Sequence, residues 1–307
     1  MSLLDTILGK SKVYVLLAGG LCWLWMRMFA GLLDVPTFEG DSVVLLATPG
    51  AAGAAAVVLV GYAVALVIGH VICVRWSRSA GWGCATFGLA AISMRGGPVG
   101  DQLLGREPGF FLLMLFELLL LSAVVAVGWL ASRQLVGVEA NRTGEPDAKK
   151  EPIDQKALAL VTSAAICTIL AMLLARTDLK MQALMAIFTA GTVGAWVAHQ
   201  SVETRPNAWF WGGPILVGVV GYVAAWLSAN PTALAIGEPT GFFAPLARIA
   251  PLDYASFGIA GGLLGFSMSR EKHAERRAEE TQTPTQPAEN LTATEAGYAE
   301  TPRQPGV

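Results

Sequence analysis

The stretch from Phe110 to Ala131 reads FFLLMLFELLLLSAVVAVGWLA and decides the fold class. As a helix rising 1.5 Å per residue it is about 33 Å long, which is enough to cross the hydrocarbon core of a membrane. One acidic residue, Glu117, lies about a third of the way along it. A carboxylate inside hydrocarbon is costly and is usually retained for a reason. The stretch therefore predicts a membrane-spanning helix with a polar centre.

The composition of the whole chain agrees with a membrane protein. Of the 307 residues, 54% are hydrophobic and 14% are charged, and the mean hydropathy is +0.53. A soluble domain carries about a quarter of its residues as charges, whereas here the charges gather in short segments between long apolar runs. The net charge of -2 provides no basic field for a nucleic acid. We therefore expect the lipid bilayer as a partner and no nucleic acid.

Eight apolar stretches are candidates for spanning helices. They are 13–33, 51–74, 79–94, 109–131, 157–175, 181–199, 209–228 and 254–269. Because 79–94 is short, the positive-inside rule decides whether it crosses. With eight spans and a cytoplasmic N-terminus, 15 lysines and arginines lie on the cytoplasmic side and 5 on the outer side, whereas omitting 79–94 gives 9 and 11. The sequence predicts an all-α polytopic bundle of about eight helices with both termini inside, and we expect a bacterial inner membrane.

The predicted spans form two groups of four. Residues 1–132 and 157–269 are the membrane halves, 133–156 is predicted to be a polar, flexible cytoplasmic linker, and 270–307 to be a charged, disordered cytoplasmic tail. In the outer segment 229–253, four prolines interrupt an apolar sequence. This pattern predicts either a segment that lies in the membrane interface or a loop packed over the helix ends.

Two charges are predicted to lie inside the hydrocarbon, Glu117 and Arg27. Arg27 is about 9 Å from the outer end of its helix, and Glu117 is about 12 Å from the outer end of its own. Because the two heights match, we predict an ion pair between the first and fourth spans. Such a pair either fixes the order of the helices or forms part of a proton- or ion-coupled pathway.

A weak internal similarity indicates further polar residues. The seven residues that begin at Ala85 resemble those that begin at Ala255, and Ser-Met follows both copies, at 93–94 and 267–268. An offset of five spans would make the copies face opposite ways, as in transporters with a site at the membrane midplane. The alternative is a chance similarity between common residues of apolar helices. If the repeat is real, the polar groups nearest a substrate are Thr86, Ser93, Ser256 and Ser267.

Small residues four apart occur in three spans and indicate close helix packing. The rows are Gly53, Gly61, Ala65 and Gly69; Ala186, Ala190, Gly194 and Ala198; and Gly258 with Gly262 and Gly261 with Gly265. Such rows pack either inside one bundle or between copies, so a homo-oligomer or a membrane partner is one hypothesis. The four cysteines are predicted to be buried thiols, and His70 and His199 hydrogen-bonded fillers. We predict no metal site and no cofactor.

The sequence contains no P-loop, no HExxH motif and no GxSxG motif. Its polar segments are too short to hold a separate active site, so we do not expect an enzyme. Two hypotheses follow. The first is a small-solute or ion permease with Glu117 and Arg27 as its polar centre. The second is a non-catalytic membrane scaffold or assembly subunit that recruits partners through the linker and the tail.

Overall fold

The computed structural model describes residues 10–31, 44–47, 50–73, 80–143, 153–177, 179–202 and 208–282. Of these residues 85% are helical, with no strand among them. The helices are α1 (Lys10–Gly31), α2 (Ala51–Cys73), α3 (Ala80–Ser93), α4 (Val99–Leu103), α5 (Phe110–Thr143), α6 (Ile153–Leu174), α7 (Lys180–Ser201), α8 (Ala208–Ser228), α9 (Pro231–Leu234), α10 (Ala244–Ala247), α11 (Pro251–Asp253) and α12 (Ile259–Gln282). A 3₁₀ turn covers Leu45–Ala47, and a π-helical turn covers Tyr254–Gly258.

Among the residues that the structure describes, six helices are long and apolar enough to cross a membrane, which agrees with the predicted all-helical membrane protein. The apolar parts are Lys12–Phe29, Ala51–Cys73, Phe110–Gln134, Ile153–Leu174, Lys180–Ser201 and Trp209–Ser228. Helix α3 has 14 residues, or about 21 Å, and is shorter than the hydrocarbon core. The eighth predicted span, 254–269, is divided between the π-helical turn and the first part of α12.

Large apolar side chains cover much of the surface of these helices. Met28 on α1 is 66% exposed, Val71 on α2 is 68% exposed and Phe116 on α5 is 59% exposed. Many of the residues buried between the helices are small, as Ala18 and Ala65 are. Exposed apolar surface of this extent suits lipid rather than water, because an apolar helix surface in water would be an aggregation site.

Two glycine-rich helices each pack between two long ones. Helix α3 lies against α1 and α2, while the π-helical turn and α12 lie against α7 and α8. A Cβ atom at Gly81 would lie 2.9 Å from the backbone of Gly69, and one at Gly258 would lie 2.8 Å from Pro214. Both distances are shorter than side chains allow, so glycine is required there for close approach. These small residues pack against other helices of the same chain.

Helix α11, the π-helical turn and α12 follow one another without a break, and we call them together the last helix. Helix α3 runs antiparallel beside it. Ser93, at the end of α3, donates a hydrogen bond to Asp253, at the start of the last helix. Ten residues away on each, a Cβ atom at Gly83 would lie 3.2 Å from the side chain of Leu263. We call the first of these ends the Asp253 end and the opposite end the Trp211 end.

The segments predicted to lie outside the membrane meet at the Asp253 end. Arg248 donates from Nη1 to the carbonyl oxygen of Arg176, 2.5 Å away, and the Gly105 N–H donates to the Leu234 carbonyl oxygen at 3.0 Å. At the Trp211 end, the ring of Trp211 lies 5.5 Å from that of Trp82 and 6.1 Å from that of Trp129. The described parts of the predicted outer segments thus lie together at one end, and three tryptophans from helix ends that were predicted to be cytoplasmic lie together at the other.

The outer segment 229–253 packs over the helix ends and is not a simple loop. It contains α9, α10 and α11, and Leu246 and Ile249 are completely buried. Phe242 is 78% exposed and Ile236 is 66% exposed. Of the two predicted arrangements, the segment has the packed one, and it also presents apolar side chains of the kind that enter a membrane interface.

The predicted linker and tail are helical in part. Helix α5 continues to Thr143 and α6 begins at Ile153, so both ends of the 133–156 segment are helical, while 144–152 lie outside the described residues. The chain divides into two units, Met1–Ser269 and Arg270–Val307. The second unit begins as helix through Gln282, with charges of opposite sign three or four residues apart. The rest of the predicted tail, 283–307, is not among the described residues.

Candidate functional site

A buried ion pair lies at the Asp253 end. The Nζ atom of Lys180 is 2.6 Å from Oδ1 and 2.7 Å from Oδ2 of Asp253. Asp253 has no exposed surface, and the Lys180 side chain is 12% exposed. The Ser93 hydroxyl donates to Oδ1, and the Ala250 N–H donates to Oδ2 at 3.2 Å. The Asp253 carboxylate therefore has donors on both of its oxygens.

All three side chains of this cluster lie at helix ends. Asp253 is the last residue of α11, where Pro251 occupies a first-turn position that needs no N–H donor. An acidic residue in a first turn is favourable because it faces the positive end of the helix dipole. Lys180 is the first residue of α7. The positive end of the α7 dipole disfavours a cation at this position, and the negative charge of Asp253 offsets that cost. The cluster connects the ends of α3, α7 and the last helix.

A second buried carboxylate, Glu117, lies on α5. It is 1% exposed, and its Oε2 atom accepts a hydrogen bond from the Leu46 N–H at 2.9 Å. Its Oε1 atom is buried and has no hydrogen-bond partner among the residues that the structure describes. Nearby, Oε1 of Gln102 accepts from the Val44 N–H at 3.2 Å. Two buried side chains from α4 and α5 therefore hold the 3₁₀ turn of the first outer segment through its backbone.

The predicted ion pair between Glu117 and Arg27 is wrong. Among the described residues there is none between them, because Arg27 is exposed on α1 and Glu117 binds the turn at Leu46. Helix α1 packs on α2 and α3, whereas α5 packs mainly on α8. Matching depth brings two charges together only when their helices are neighbours. An arginine near the end of a lipid-facing helix instead extends its guanidinium toward the interface.

Of the four predicted polar residues, only Ser93 joins a buried charged group. Thr86 donates to the Trp82 carbonyl oxygen at 3.0 Å and lies 3.3 Å from the Tyr62 hydroxyl. Ser256 donates to the Leu252 carbonyl oxygen at 2.6 Å, and Ser267 is exposed and donates to the Leu264 carbonyl oxygen at 2.8 Å. These three hydroxyls bond to the preceding turn of their own helix, as serine and threonine in apolar helices often do.

Two tyrosines lie beside the ion pair. The Tyr222 hydroxyl on α8 donates to the Ile249 carbonyl oxygen at 2.5 Å, and the Tyr254 hydroxyl donates to the Leu246 carbonyl oxygen at 2.9 Å. Their rings meet edge to face with centroids 6.0 Å apart. Both residues are completely buried. Their two hydrogen bonds attach the 229–253 segment to α8 and to the start of the last helix.

Asp253, Lys180 and Gln102 were not predicted from the sequence. Asp253 lies one residue outside the predicted span, and Lys180 was assigned to an outer loop. The sequence does contain one signal, since proline followed two residues later by aspartate marks a helix start. It does not reveal the partner, because Lys180 is 73 residues away in the chain.

Two of the three histidines, His199 and His70, have a ring nitrogen within hydrogen-bond distance of another residue. His199 Nδ1 lies 2.7 Å from the Ser269 hydroxyl, and His70 Nδ1 lies 2.9 Å from the Leu66 carbonyl oxygen. Across the ranges that the structure describes, no three histidine, cysteine, aspartate or glutamate side chains are grouped to hold a metal ion. The buried charges are therefore the chemically distinctive groups of this part of the chain.

Comparison with known proteins identifies no relative: no family model, no curated protein and no solved structure matches this chain.

Proposed function

We propose that this protein is a membrane permease for a small solute or ion, with Glu117 as its protonatable centre. The observation that supports this most is the state of the Glu117 carboxylate. One oxygen accepts from the Leu46 N–H, and the other is buried with no donor in the described part of the chain. A buried carboxylate oxygen that lacks a donor is costly. A proton or a transported cation at that oxygen would remove the cost.

The proposed permease has eight crossing helices, with both termini inside a bacterial inner membrane. Two contacts support α3 and the first part of the last helix, up to residue 269, as the central pair of such a layout. They contact each other at Ser93 with Asp253 and again ten residues along at Gly83 with Leu263. Short glycine-rich helices beside a polar site are typical of secondary transporters. The distribution of 15 cationic residues inside and 5 outside follows from the same layout.

In the proposed mechanism, Glu117 controls the 3₁₀ turn of the first outer segment. A charged carboxylate accepts a stronger hydrogen bond from the Leu46 N–H than a neutral carboxyl group does. A proton or cation that binds Oε1 therefore weakens the hold on the turn and lets that segment move. Movement of the turn couples ion binding to opening of the Asp253 end.

Flux through proteoliposomes tests this proposal. The full chain is reconstituted with a trapped pH-sensitive dye, and proton entry is followed under a valinomycin-induced potassium potential, with and without a sodium gradient. Glu117→Gln keeps an acceptor for Leu46 but cannot take up a proton, so we expect at least a tenfold loss of coupled flux. Glu117→Ala removes the hold on the turn, and we expect an uncoupled leak.

The matched control is Ser122→Ala, five residues further along α5, because that hydroxyl bonds only to the Leu118 carbonyl oxygen of its own helix. It should keep the wild-type flux. Flux that is the same for wild-type protein, both Glu117 variants and empty liposomes contradicts the proposal.

The alternative function is a scaffold or assembly subunit, and one observation favours it. The last helix continues through a charged segment to Gln282, with Arg270, Glu275 and Arg276 exposed. An exposed charged helix is a surface that partners bind. Deletion of residues 277–307 should then remove co-purifying proteins, and an unchanged set of co-purifying proteins counts against a scaffold.

A further inference from the structure

An apolar groove lies on α8 at the Trp211 end. Its volume is about 320 Å³, and it is lined by Leu160, Trp209, Trp211, Gly212, Ile215, Leu216 and Val219. The small size of Gly212 leaves the groove open, since a Cβ atom there would lie 3.3 Å from the Leu160 side chain. The lining from Trp209 to Val219 extends about 15 Å along the helix. This length matches the greater part of a lipid acyl chain.

Contacts between α6 and α8 place the mouth of the groove. Leu160 lies opposite Gly212, and Ser163 lies opposite Gly213, so the two helices run parallel in this register. One turn before Leu160, Lys156 lies on the same face of α6 and at the level of Trp209. Trp209 and Trp211 are at the start of α8, where indole rings mark the membrane interface. The groove therefore begins at the interface beside a half-buried lysine.

A second cation lies on the other side of the groove. Trp211 contacts Trp129 of α5 at 6.1 Å between centroids, and the guanidinium of Arg133 lies 5.0 Å from the Trp129 ring. Lys156 and Arg133 thus lie on α6 and α5, the helices that pack on either side of α8. Asp154, the acidic residue nearest to Lys156 in α6, is two positions away and lies on the opposite side of that helix. Among the described residues, the charged side chains facing this end of the groove are therefore the two cations Lys156 and Arg133.

We propose that the groove binds a phospholipid with an anionic headgroup. One acyl chain occupies the apolar groove, and the phosphate lies between Lys156 and Arg133. Trp211 lines the groove with only 7% of its surface exposed, so it contributes apolar contact rather than a hydrogen bond. Cationic residues beside an interfacial tryptophan bind anionic headgroups of the inner leaflet. The inference does not depend on transport.

Native mass spectrometry of the full chain, titrated with dioleoylphosphatidylglycerol or dioleoylphosphatidylcholine in detergent, tests the proposal. We expect the anionic lipid to bind at least tenfold more tightly. Lys156→Ala and Arg133→Ala should each weaken it by about fivefold, the effect expected for one cation near a membrane surface. Gly212→Leu fills the groove and should weaken both lipids.

Control variants separate the groove from general effects. The double variant Arg95→Ala with Arg176→Ala removes two cations at the Asp253 end and should bind phosphatidylglycerol as wild type does. Gly20→Leu adds the same side chain on α1, where a Cβ atom meets nothing within 4 Å, and should also have no effect. Leu160→Phe fills the groove from α6 and provides a second test if Gly212→Leu does not fold. Equal binding of the two lipids, or equal losses in the test and control variants, overturns the proposal.

Discussion

The two buried carboxylates of this protein differ in how completely they are satisfied. Asp253 has donors on both oxygens, from a lysine, a serine and a backbone N–H. Glu117 has a backbone donor from Leu46 on one oxygen and, within the described ranges, none on the other. Both are almost completely buried.

The difference separates a structural role from a functional one. A carboxylate that binds a cation and two further donors stabilises the packing of the helices that carry those groups. Protonation of this carboxylate is unfavourable because it would weaken these interactions. A buried carboxylate oxygen that lacks a donor is stabilised when a proton or a cation binds to it, and such binding is reversible. We therefore expect substitutions at Asp253 to change stability and substitutions at Glu117 to change function.

The largest loss of stability is expected for Asp253→Ala. It leaves the Lys180 cation buried without a partner, which lowers the free energy of unfolding by about 3–5 kcal/mol. Unfolding in mixed dodecyl maltoside and SDS micelles measures this. The double variant Asp253→Leu with Lys180→Met removes both charges and should recover most of the loss. A single variant within about 1 kcal/mol of wild type would show that the pair contributes little.

Ser93→Ala is expected to have an intermediate effect. Its hydroxyl donates to the charged Asp253 carboxylate, and a hydrogen bond to a charged group contributes about 2 kcal/mol. Ser256→Ala is the matched control, because its hydroxyl bonds only to a carbonyl oxygen of its own helix, and it should cost less than about 1 kcal/mol. If the two variants lose the same stability, Ser93 contributes through packing and not through the carboxylate.

Glu117→Gln is expected to change stability by less than about 1 kcal/mol, since the amide oxygen still accepts from Leu46 and an unsatisfied charge is removed. The same unfolding measurement checks this, beside the flux assay. A loss as large as that of Asp253→Ala would mean that Glu117 is a structural carboxylate after all. Glu117→Asp tests the geometry, because the shorter side chain keeps the charge but withdraws it from the turn.

The smallest effect is expected for Arg27→Gln, with a change in unfolding free energy within about 0.5 kcal/mol, as for exposed positions in general. The guanidinium is exposed and pairs with no buried acid among the described residues. A double variant with Glu117→Gln should be additive. A coupling energy above about 1 kcal/mol would restore the ion pair that the sequence predicted.

Hydropathy and charge spacing predicted the positions of the long apolar helices along the chain. The 109–131 stretch forms α5, and 79–94 forms the 14-residue α3. The hydrogen bonds between Arg248 and Arg176 and between Gly105 and Leu234 join segments that the charge pattern predicts to lie on the same side of the membrane. These features depend on residues that are close together in the chain, so a sequence pattern can predict them.

The sequence by itself determined an apolar helical protein for lipid, the order of its helices and the presence of one acid in the fourth predicted span. Only the tertiary structure decided which groups meet: Glu117 with the turn at Leu46, and Asp253 with Lys180 and Ser93. The physical reason is that the hydrophobicity of a segment depends only on its own residues. Which helices lie next to each other depends instead on how closely their backbones can pack. That contact depends on small residues such as Gly69 and Gly81 fitting together, and depth along a helix does not predict it.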